Sequence, residues 1–342
     1  LTPSGSWAWS TSMGGNANDV GGIRFAENGS VPDRIPFYMR TYSPGWMQIG
    51  NTNYTVPSSG SSSDYYFIGT LNLSNGAVEF STNFSNGVAA YNTVFDSSGN
   101  TYVRGYYTGS LSMGGTTLLT DNRSCPSATN SAYILKLNSS NQVEWAHTIH
   151  GSEYSGSCSN TNLYEPLLDS NEDLLMRGYF YGNITLGSTT LINQNTQGSD
   201  VFFAKLTPSG SWAWSTSMGG NANDYGAIRF AENGSVPDRI PFYMRSMSPG
   251  WMQIGNTNYT IPSSGSSSNY YFIGQIIDED LDDDNDGVLD VNDLCPRSPL
   301  NSTVDSNGCS SVVASSLNTV TPNYNDGSSE WVTSSTWYNF TL

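Results

Sequence analysis

The stretch "LTPSGSWAWSTSMGGNAND", residues 1–19, returns unchanged at residues 206–224. The match continues to residue 275 with seven differences from residues 1–70. Two weaker copies, which begin "LNLSNGAVEF" and "LNSSNQVEW", lie between the two strong ones. Repeats of this length, built from short apolar segments, are typical of a propeller or another repeat array. The four repeats cover about residues 1–70, 71–136, 137–205 and 206–276.

Each repeat contains the same series of short apolar segments, separated by Gly, Ser and Asn. The first ends in a turn ("GGIRFAENG", "NTVFDSSGN", "EPLLDSNED", "GAIRFAENG"), and the second is rich in aromatic residues ("FYMRTY", "TYVRGYYTG", "LLMRGYFYG", "FYMRSM"). The third reads "DYYFIGTL", "SAYILKL", "DVFFAKL" or "NYYFIGQI". Their alternation and their turn residues predict four antiparallel strands per repeat, with an additional short hairpin after the second. The aromatic residue of the last strand recurs at Trp9, Phe80, Trp145 and Trp214, and a glycine of the hairpin at Gly50, Gly114, Gly187 and Gly255.

These segments resemble the seven-bladed β-propeller repeat family, whose blades carry patterns such as "FFAKLTPSG", "VFDSSGN" and "YVRGYYTG". The resemblance spans residues 1–276 and implies an all-β fold, a β-propeller with four blade-type repeats. Two arrangements are open. Residues 1–13 would form an outermost strand that completes the last blade and closes a four-bladed ring, whereas the copied block of three repeats favours an arc of a larger propeller.

A second pattern concentrates acidic residues, because nine carboxylates lie between Asp278 and Asp293 in a chain with 12% charged residues. Counted from Asp282, aspartates stand at positions one, three, five, nine and twelve, with Gly287 at six. This is the oxygen spacing of a calcium loop, in which position seven supplies a backbone carbonyl. A solvated acidic linker and a site for another hard cation are the alternatives. The predicted ligands, called here the acidic ladder, are Asp282, Asp284, Asp286, Val288, Asp290 and Asp293, with Asp278, Asp280 and Asp283 as further candidates.

The acidic ladder and the Cys-Pro that follows it resemble the thrombospondin type 3 repeat, over residues 278–310. The resemblance implies a small module with little core that is held together by bound Ca²⁺. The four cysteines show no CxxC spacing for zinc and fall into two local pairs. We therefore expect disulfides between Cys125 and Cys158 and between Cys295 and Cys309.

The formal net charge of −17, without a basic run, argues against binding to nucleic acid or to an anionic membrane. No stretch approaches the roughly 18 apolar residues of a membrane span. Disulfides and calcium predict an extracellular protein, secreted or on the cell surface. Residues 311–342 read as a linker and the start of a further β module, so we expect the chain to be part of a longer multidomain protein.

Three other groups of residues have both a functional and a structural interpretation. Arg40, Arg104, Arg177 and Arg245 align with one another, and they could grip an anion or bond backbone carbonyls of the neighbouring sheet; the repetition favours the second role. His147 and His150 face opposite sides of a strand, which argues against a shared metal. Four further tryptophans could stack on carbohydrate or pack on the sheets: Trp7, Trp46, Trp212 and Trp251.

No catalytic constellation is evident, because the chain has only two histidines and nothing places two facing carboxylates. We therefore expect a non-enzymatic calcium-binding protein, in which the propeller presents an adhesion surface for glycans or matrix proteins and the calcium module acts as a stiffened connector. A propeller enzyme acting on extracellular polysaccharide and a purely structural surface scaffold are the alternatives.

Overall fold

The computed structural model describes residues 6–16, 18–23, 34–42, 44–56, 64–85, 87–123, 130–154, 157–158, 160–164, 166–169, 171–194, 198–221, 224–228, 239–246, 250–255, 257–261, 270–277, 288, 294 and 303–307. Every regular element in these residues is a β-strand, which confirms the all-β class. Within the same residues no helix is long and apolar enough to cross a membrane.

The strands, in chain order, are β1 (Gly14–Gly15), β2 (Asp19–Ile23), β3 (Arg34–Thr41), β4 (Gly45–Ile49), β5 (Thr52–Val56), β6 (Tyr65–Asn72), β7 (Val78–Asn83), β8 (Val88–Phe95), β9 (Thr101–Tyr107), β10 (Ser110–Met113), β11 (Thr116–Thr120), β12 (Ser131–Leu137), β13 (Val143–Ile149), β14 (Glu153–Tyr154), β15 (Ser157–Cys158), β16 (Thr161–Leu163), β17 (Leu167–Leu168), β18 (Leu174–Phe180), β19 (Ile184–Leu186), β20 (Thr189–Leu191), β21 (Asp200–Leu206), β22 (Trp212–Gly220), β23 (Asp224–Ile228), β24 (Arg239–Ser246), β25 (Gly250–Ile254), β26 (Thr257–Ile261) and β27 (Tyr270–Ile277).

Four sheets follow one another along the chain. Sheet 1 has the strand order β2-β3-β6-β7, and sheet 2 has the order β8-β9-β12-β13. Sheet 3 has the order β16-β18-β21-β22, with β17 also paired to β18, and the end of β22 pairs onward with the β25-β26 hairpin. Sheet 4 has the order β23-β24-β27 among the described residues. The predicted series of four antiparallel strands is therefore present in sheets 1 to 3.

Each of sheets 1 to 3 takes its fourth strand from the repeat that follows. Strand β7, for example, lies beyond Leu71, where the second repeat begins. A register shift recurs just before this strand, after Thr70, Lys136 and Lys205. Because of this shared shift, the aromatic residue of the fourth strand pairs with an equivalent partner in each sheet. The pairs are Thr70 with Phe80, Lys136 with Trp145 and Lys205 with Trp214, which confirms the predicted register of these aromatic residues.

The core lies between the sheets. Tyr66 and Ile68 of sheet 1 pack in one apolar cluster with Val103 and Leu135 of sheet 2. The opposite face of sheet 2 packs in the same way on sheet 3, through residues such as Ile134 and Phe202. Strands β12 and β21 are buried on both faces, which explains why they read as continuous apolar runs. Each fully buried large side chain contributes about 1.5–3 kcal/mol to stability.

A hairpin follows the second strand of each repeat: β4-β5, β10-β11, β19-β20 and β25-β26. The recurring glycine stands at its turn, with φ of +58° at Gly50, +56° at Gly114, +60° at Gly187 and +56° at Gly255. Glycine is favoured there because other residues rarely adopt a left-handed backbone. The repeated glycines were therefore a correct signal of these turns.

The start of the chain differs from the expected outermost strand. Residues 6–13 have no strand structure, and β1 begins only at Gly14. Trp9 donates its indole N–H to the carbonyl of Leu73 at 2.7 Å, and both Trp9 and Met13 pack on the core of sheet 1. Within the described residues, this segment therefore covers the end of sheet 1 and pairs with no strand of another sheet before β1 joins β4.

The chain divides into two compact units. One unit consists of residues 1–227 and 244–272, and the other of residues 228–243 and 273–342. Sheets 1 to 3 belong to the first unit. The boundary predicted after residue 276, and the one after residue 310, stay predictions.

Candidate functional site

Most of the acidic ladder lies outside the described residues. The aspartates at 278, 280, 282, 283, 284, 286, 290 and 293 fall there, as do Cys125, Cys295 and Cys309. Val288, which would supply the carbonyl of position seven, is described as a half-buried residue in a bend. For Cys158 only the backbone is described, paired with Glu153. The calcium ligands and both disulfides stay predictions.

In the described part of the C-terminal module, a backbone hydrogen bond joins two positions that are distant in sequence. The amide of Leu294 donates to the carbonyl of Asn307 at 2.9 Å, and the amide of Asn307 donates to Asp305 Oδ1 at 2.8 Å. Leu294 directly precedes Cys295 in sequence, and Asn307 lies two residues before Cys309. The backbone therefore comes together beside the two cysteines that the sequence pairs.

Two of the four aligned arginines bond backbone carbonyls of the following sheet. Arg104 donates from Nη1 to the carbonyl of Leu163 at 2.6 Å, and Arg177 donates from Nη1 to the carbonyl of Gly226 at 3.0 Å. Leu163 is the last residue of β16, and Gly226 lies in β23. The role that repetition favoured, bonding of carbonyls in the neighbouring sheet, is therefore found at these two positions.

Arg40 does not share the position of Arg104, which corrects the sequence alignment. Leu71 and Leu137 are equivalent, because the same register shift precedes both. The partner of Leu71 lies five residues before Arg40, whereas the partner of Leu137 lies three residues before Arg104. Arg40 is thus two positions further along its strand than Arg104 is along β9.

Tyrosine and arginine side chains form a row of contacts across sheets 1 and 2, and a hydrogen bond from Tyr106 to Asn162 links this row to a similar group in sheet 3. In sheet 1 the guanidinium of Arg40 lies 4.2 Å from the ring centroid of Tyr42 and 5.9 Å from that of Tyr66. The ring of Tyr66 lies 5.8 Å from that of Tyr91 in sheet 2, which in turn lies 5.5 Å from that of Tyr106. The angles between these rings, 68° and 64°, are those of favourable edge-to-face contacts.

The group in sheet 3 is built in the same way. The guanidinium of Arg177 lies 4.8 Å from the ring of Tyr164, and Tyr164 lies 5.9 Å from Tyr179. Most of these side chains are half-buried, so that part of each ring or guanidinium reaches solvent. We call this row the tyrosine–arginine strip: Arg40, Tyr42, Tyr66, Tyr91, Arg104, Tyr106, Tyr164, Arg177, Tyr179 and Tyr181.

Hydrogen bonds fix the strip between the sheets. The hydroxyl of Tyr106 donates to Asn162 Oδ1 at 2.8 Å, which joins sheet 2 to β16. Arg40 donates from Nη1 to the hydroxyl of Tyr66 and to Asp64 Oδ2, both at 3.3 Å. Burial raises the pKa of Tyr66 to about 12, so the hydroxyl stays protonated at physiological pH. The strip therefore presents neutral phenols and fixed positive charges.

His147 takes part in packing rather than in a metal site. Its Nε2 atom lies 2.8 Å from the carbonyl of Gly210, and its ring stands between Trp145 and Trp212 at centroid distances of 5.3 and 5.6 Å. Across the described part of the chain, no group of three or more His, Cys, Asp or Glu side chains is placed to hold a metal ion. Trp7 and Trp46 are exposed, at 79% and 49%.

Neither the models of known protein families nor the curated proteins give a match to this chain. Sequence reasoning singled out the arginines but missed the strip, because the tyrosines that complete it come from different strands of different repeats. The segment "TYVRGYYTG", which holds Arg104 and Tyr106 of the strip, was the available signal.

Proposed function

We propose that the chain is a non-enzymatic, calcium-binding protein of the cell exterior, whose repeats present a recognition surface and whose acidic ladder holds the connector that follows. In this proposal sheets 1 to 4 are blades of a β-propeller, either closed or part of a larger ring. The face-to-face packing of sheets 1, 2 and 3 supports that arrangement. The short hairpin that recurs in each of the four sequence repeats also supports the propeller arrangement.

The tyrosine–arginine strip is the observation that carries the recognition function. Half-buried aromatic rings that are fixed by their neighbours offer a binding partner large contact areas at little cost in conformational entropy. Guanidinium groups add directional donors for carboxylates or hydroxyls. A row that crosses three sheets suits an extended ligand, of which a glycan with acidic groups is the best match in chemistry.

The acidic ladder supports the calcium part of the proposal. Its carboxylates would repel one another without a counter-ion, so binding of Ca²⁺ and ordering of the loop are coupled. Calcium then sets the geometry of the connector, while the sheets are held by their apolar clusters.

The test is binding of the chain to a panel of neutral glycans, acidic glycans and matrix proteins, in millimolar Ca²⁺ and in chelator. Two variants remove exposed parts of the strip, Tyr42→Ala and Tyr181→Ala. Trp46→Ala is the matched control, since this aromatic residue is exposed but stands on the β4-β5 hairpin. We expect saturable binding to acidic glycans that both strip variants weaken by at least about tenfold and the control leaves unchanged.

Other results would separate the alternatives. Binding that the Trp46 variant abolishes would move the recognition surface to the exposed tryptophans. Turnover of a polysaccharide would favour the enzyme, and absence of any binding would leave a structural scaffold.

A further inference from the structure

Two buried carboxyl groups meet where sheet 3 ends and the next strand begins. Asp200 is the first residue of β21, and Asp224 is the first residue of β23. They are only 1% and 0% exposed, respectively. Aspartate is almost never buried to this extent without a partner of opposite charge.

The backbone brings the two groups to the same place. The amide of Gly220 donates to Asp224 Oδ2 at 2.8 Å, and the neighbouring Gly219 packs against the carboxyl of Asp200. The amide of Asp224 donates to the carbonyl of Ser199 at 2.9 Å. Asp200 Oδ2 accepts from the amide of Gln194 at 2.6 Å. Both carboxyls are thus held by amides of the surrounding turns, and no cation is among these partners.

Each carboxyl group keeps one oxygen unused. Within the described part of the chain, Asp200 Oδ1 and Asp224 Oδ1 are buried and have no hydrogen-bond partner. The hydroxyl of Ser246, in a residue 1% exposed, faces Asp224 but likewise has no hydrogen-bond partner of normal geometry there. Two buried carboxylate oxygens that lack partners, with a hydroxyl beside one of them, call for an explanation, of which an ion or a water molecule is the usual one.

Glycine makes room for this arrangement. A Cβ atom on Gly219 would lie 2.2 Å from Asp200 Cγ, so no side chain fits there. Burial raises the pKa of Asp200 to about 7, and the charge of Asp224 adds to the rise. Burial also raises the pKa of Asp224, to about 6. At neutral pH the pair therefore carries between one and two negative charges, in a place where such charge needs compensation.

We propose that Asp200, Asp224 and Ser246 form a binding site for a divalent hard cation, with Ca²⁺ as the probe. Two carboxylates and a hydroxyl are ligands that Ca²⁺ favours, and two carboxylates neutralise its charge. Backbone carbonyls and water would complete the six to eight oxygens that Ca²⁺ takes. This site is separate from the acidic ladder and does not depend on the proposed function.

Sheet 1 supplies a matched control. Asp19 is the counterpart of Asp224 in the repeated sequence, and it accepts from the amide of Gly15 at 2.8 Å as Asp224 does from Gly220. Asp19 Oδ1 is also buried without a hydrogen-bond partner in the described residues, as Asp224 Oδ1 is, so the two positions are closely matched. Asp19→Asn therefore removes the same acid from the same kind of turn without touching the pair.

The experiment counts bound Ca²⁺ by equilibrium dialysis and calorimetry at pH 8, above the raised pKa values of both groups. Four versions of the whole 342-residue chain are compared: the unchanged chain (wild type), Asp200→Asn/Asp224→Asn, Asp19→Asn and the ladder variant Asp286→Asn/Asp290→Asn. We expect the first double variant to lose about one bound ion relative to wild type and Asp19→Asn to lose none. We also expect Ca²⁺ to raise the Tm of the ladder variant, in which the pair is intact.

Equal numbers of bound ions in wild type and in Asp200→Asn/Asp224→Asn would overturn the proposal, and the pair would then hold protons alone. If that variant does not fold, the ladder variant decides, because a Tm that Ca²⁺ leaves unchanged overturns the proposal equally. Failure of the acidic ladder appears separately, as a ladder variant that binds as many ions as wild type.

Discussion

Lys136 and Lys205 show how far the neighbourhood of a residue decides its role. They hold the same register position in sheets 2 and 3, and Thr70 holds it in sheet 1. Lys205 Nζ lies 3.2 Å from Asp169 Oδ2 and 2.9 Å from Asp173 Oδ2, and its side chain is 3% exposed. Lys136 Nζ lies 3.0 Å from Glu144, whose side chain is 39% exposed. The sequence reveals the equivalence of these lysines but not the difference in their partners.

Lys205→Met is expected to destabilise the protein by about 3–5 kcal/mol, because it leaves Asp169 and Asp173 as buried charges without a cation. Lys136→Met is the control, with an expected cost of about 1 kcal/mol, since Glu144 remains solvated. Urea unfolding followed by tryptophan fluorescence measures both. A cost for Lys136→Met as large as that for Lys205→Met would contradict this account.

Asp121 leads to a prediction of how the stability of the fold changes at acidic pH. Burial alone would raise its pKa, but Arg123 donates from Nη2 at 2.6 Å and Ser131 from Oγ at 2.7 Å, and these bonds hold the pKa of Asp121 well below its usual range. A lowered folded-state pKa stabilises the fold above the unfolded value of 3.8 and loses that contribution as the pH falls. Wild type should therefore begin to lose its advantage over Asp121→Asn, about 2 kcal/mol at pH 7, below about pH 5, and should still be losing it at about pH 2, because the folded-state pKa lies so far below 3.8.

The control for this acid effect is Glu79→Gln, at the half-exposed pair of Arg34 and Glu79, whose side chains are 32% and 31% exposed. Glu79→Gln should lower the free energy of unfolding by no more than about 0.5 kcal/mol at any pH of the series. Thermal unfolding across the pH series is the measurement. A constant difference between wild type and Asp121→Asn at every pH would be evidence against the proposed linkage.

Among the elements, the strands and turns were predictable and the contacts between repeats were not. Alternation and the recurring glycines predicted the strands of sheets 1 to 3 and the hairpins, because both depend on local geometry. The position of Arg40 was missed, since it depends on the register of β3 against β6, which periodicity does not reveal. The buried pair of Asp200 and Asp224 was missed for the same reason, because it joins two strands that are separated in sequence.

Trp145 is the element-scale test of how sheets 2 and 3 are joined. It stands in β13, donates its indole N–H to the carbonyl of Pro208 at 3.1 Å and packs against the apolar cluster shared by these sheets. Trp145→Phe should lower the free energy of unfolding by about 1 kcal/mol, because the hydrogen bond is lost. Trp145→Ala should lower it by about 3–5 kcal/mol, because a cavity is left as well. Trp46→Ala, at a 49% exposed residue, should cost less than about 1 kcal/mol in the same denaturation series.

For the whole molecule, removal of calcium should open the C-terminal module to proteases. The sheets should stay folded on their apolar clusters, with a lower Tm because the site at Asp200 and Asp224 is emptied as well. The apolar clusters of sheets 1 to 3 contain no metal ligand of the acidic ladder. We expect chelator to expose the chain near residue 285 to proteases while the far-ultraviolet circular dichroism spectrum stays unchanged. Asp286→Asn/Asp290→Asn should produce the same cleavage in the presence of Ca²⁺.

Asp305→Asn is the control for this experiment, because Asp305 is an exposed acid of the same module outside the acidic ladder. It should keep the calcium-dependent protection. Cleavage that is equally fast with and without Ca²⁺ in wild type would refute a calcium-braced connector.

The offset between repeat and sheet, in which the fourth strand comes from the following repeat, has a genetic consequence. A recombination event that adds or removes one whole repeat changes the number of sheets by one, yet every junction between sheets still has a continuous chain running through it. A duplicated block of repeats therefore supplies the strands that join it to the neighbouring sheets. The near-identity of residues 1–70 and 206–275 is the mark that such a duplication would leave.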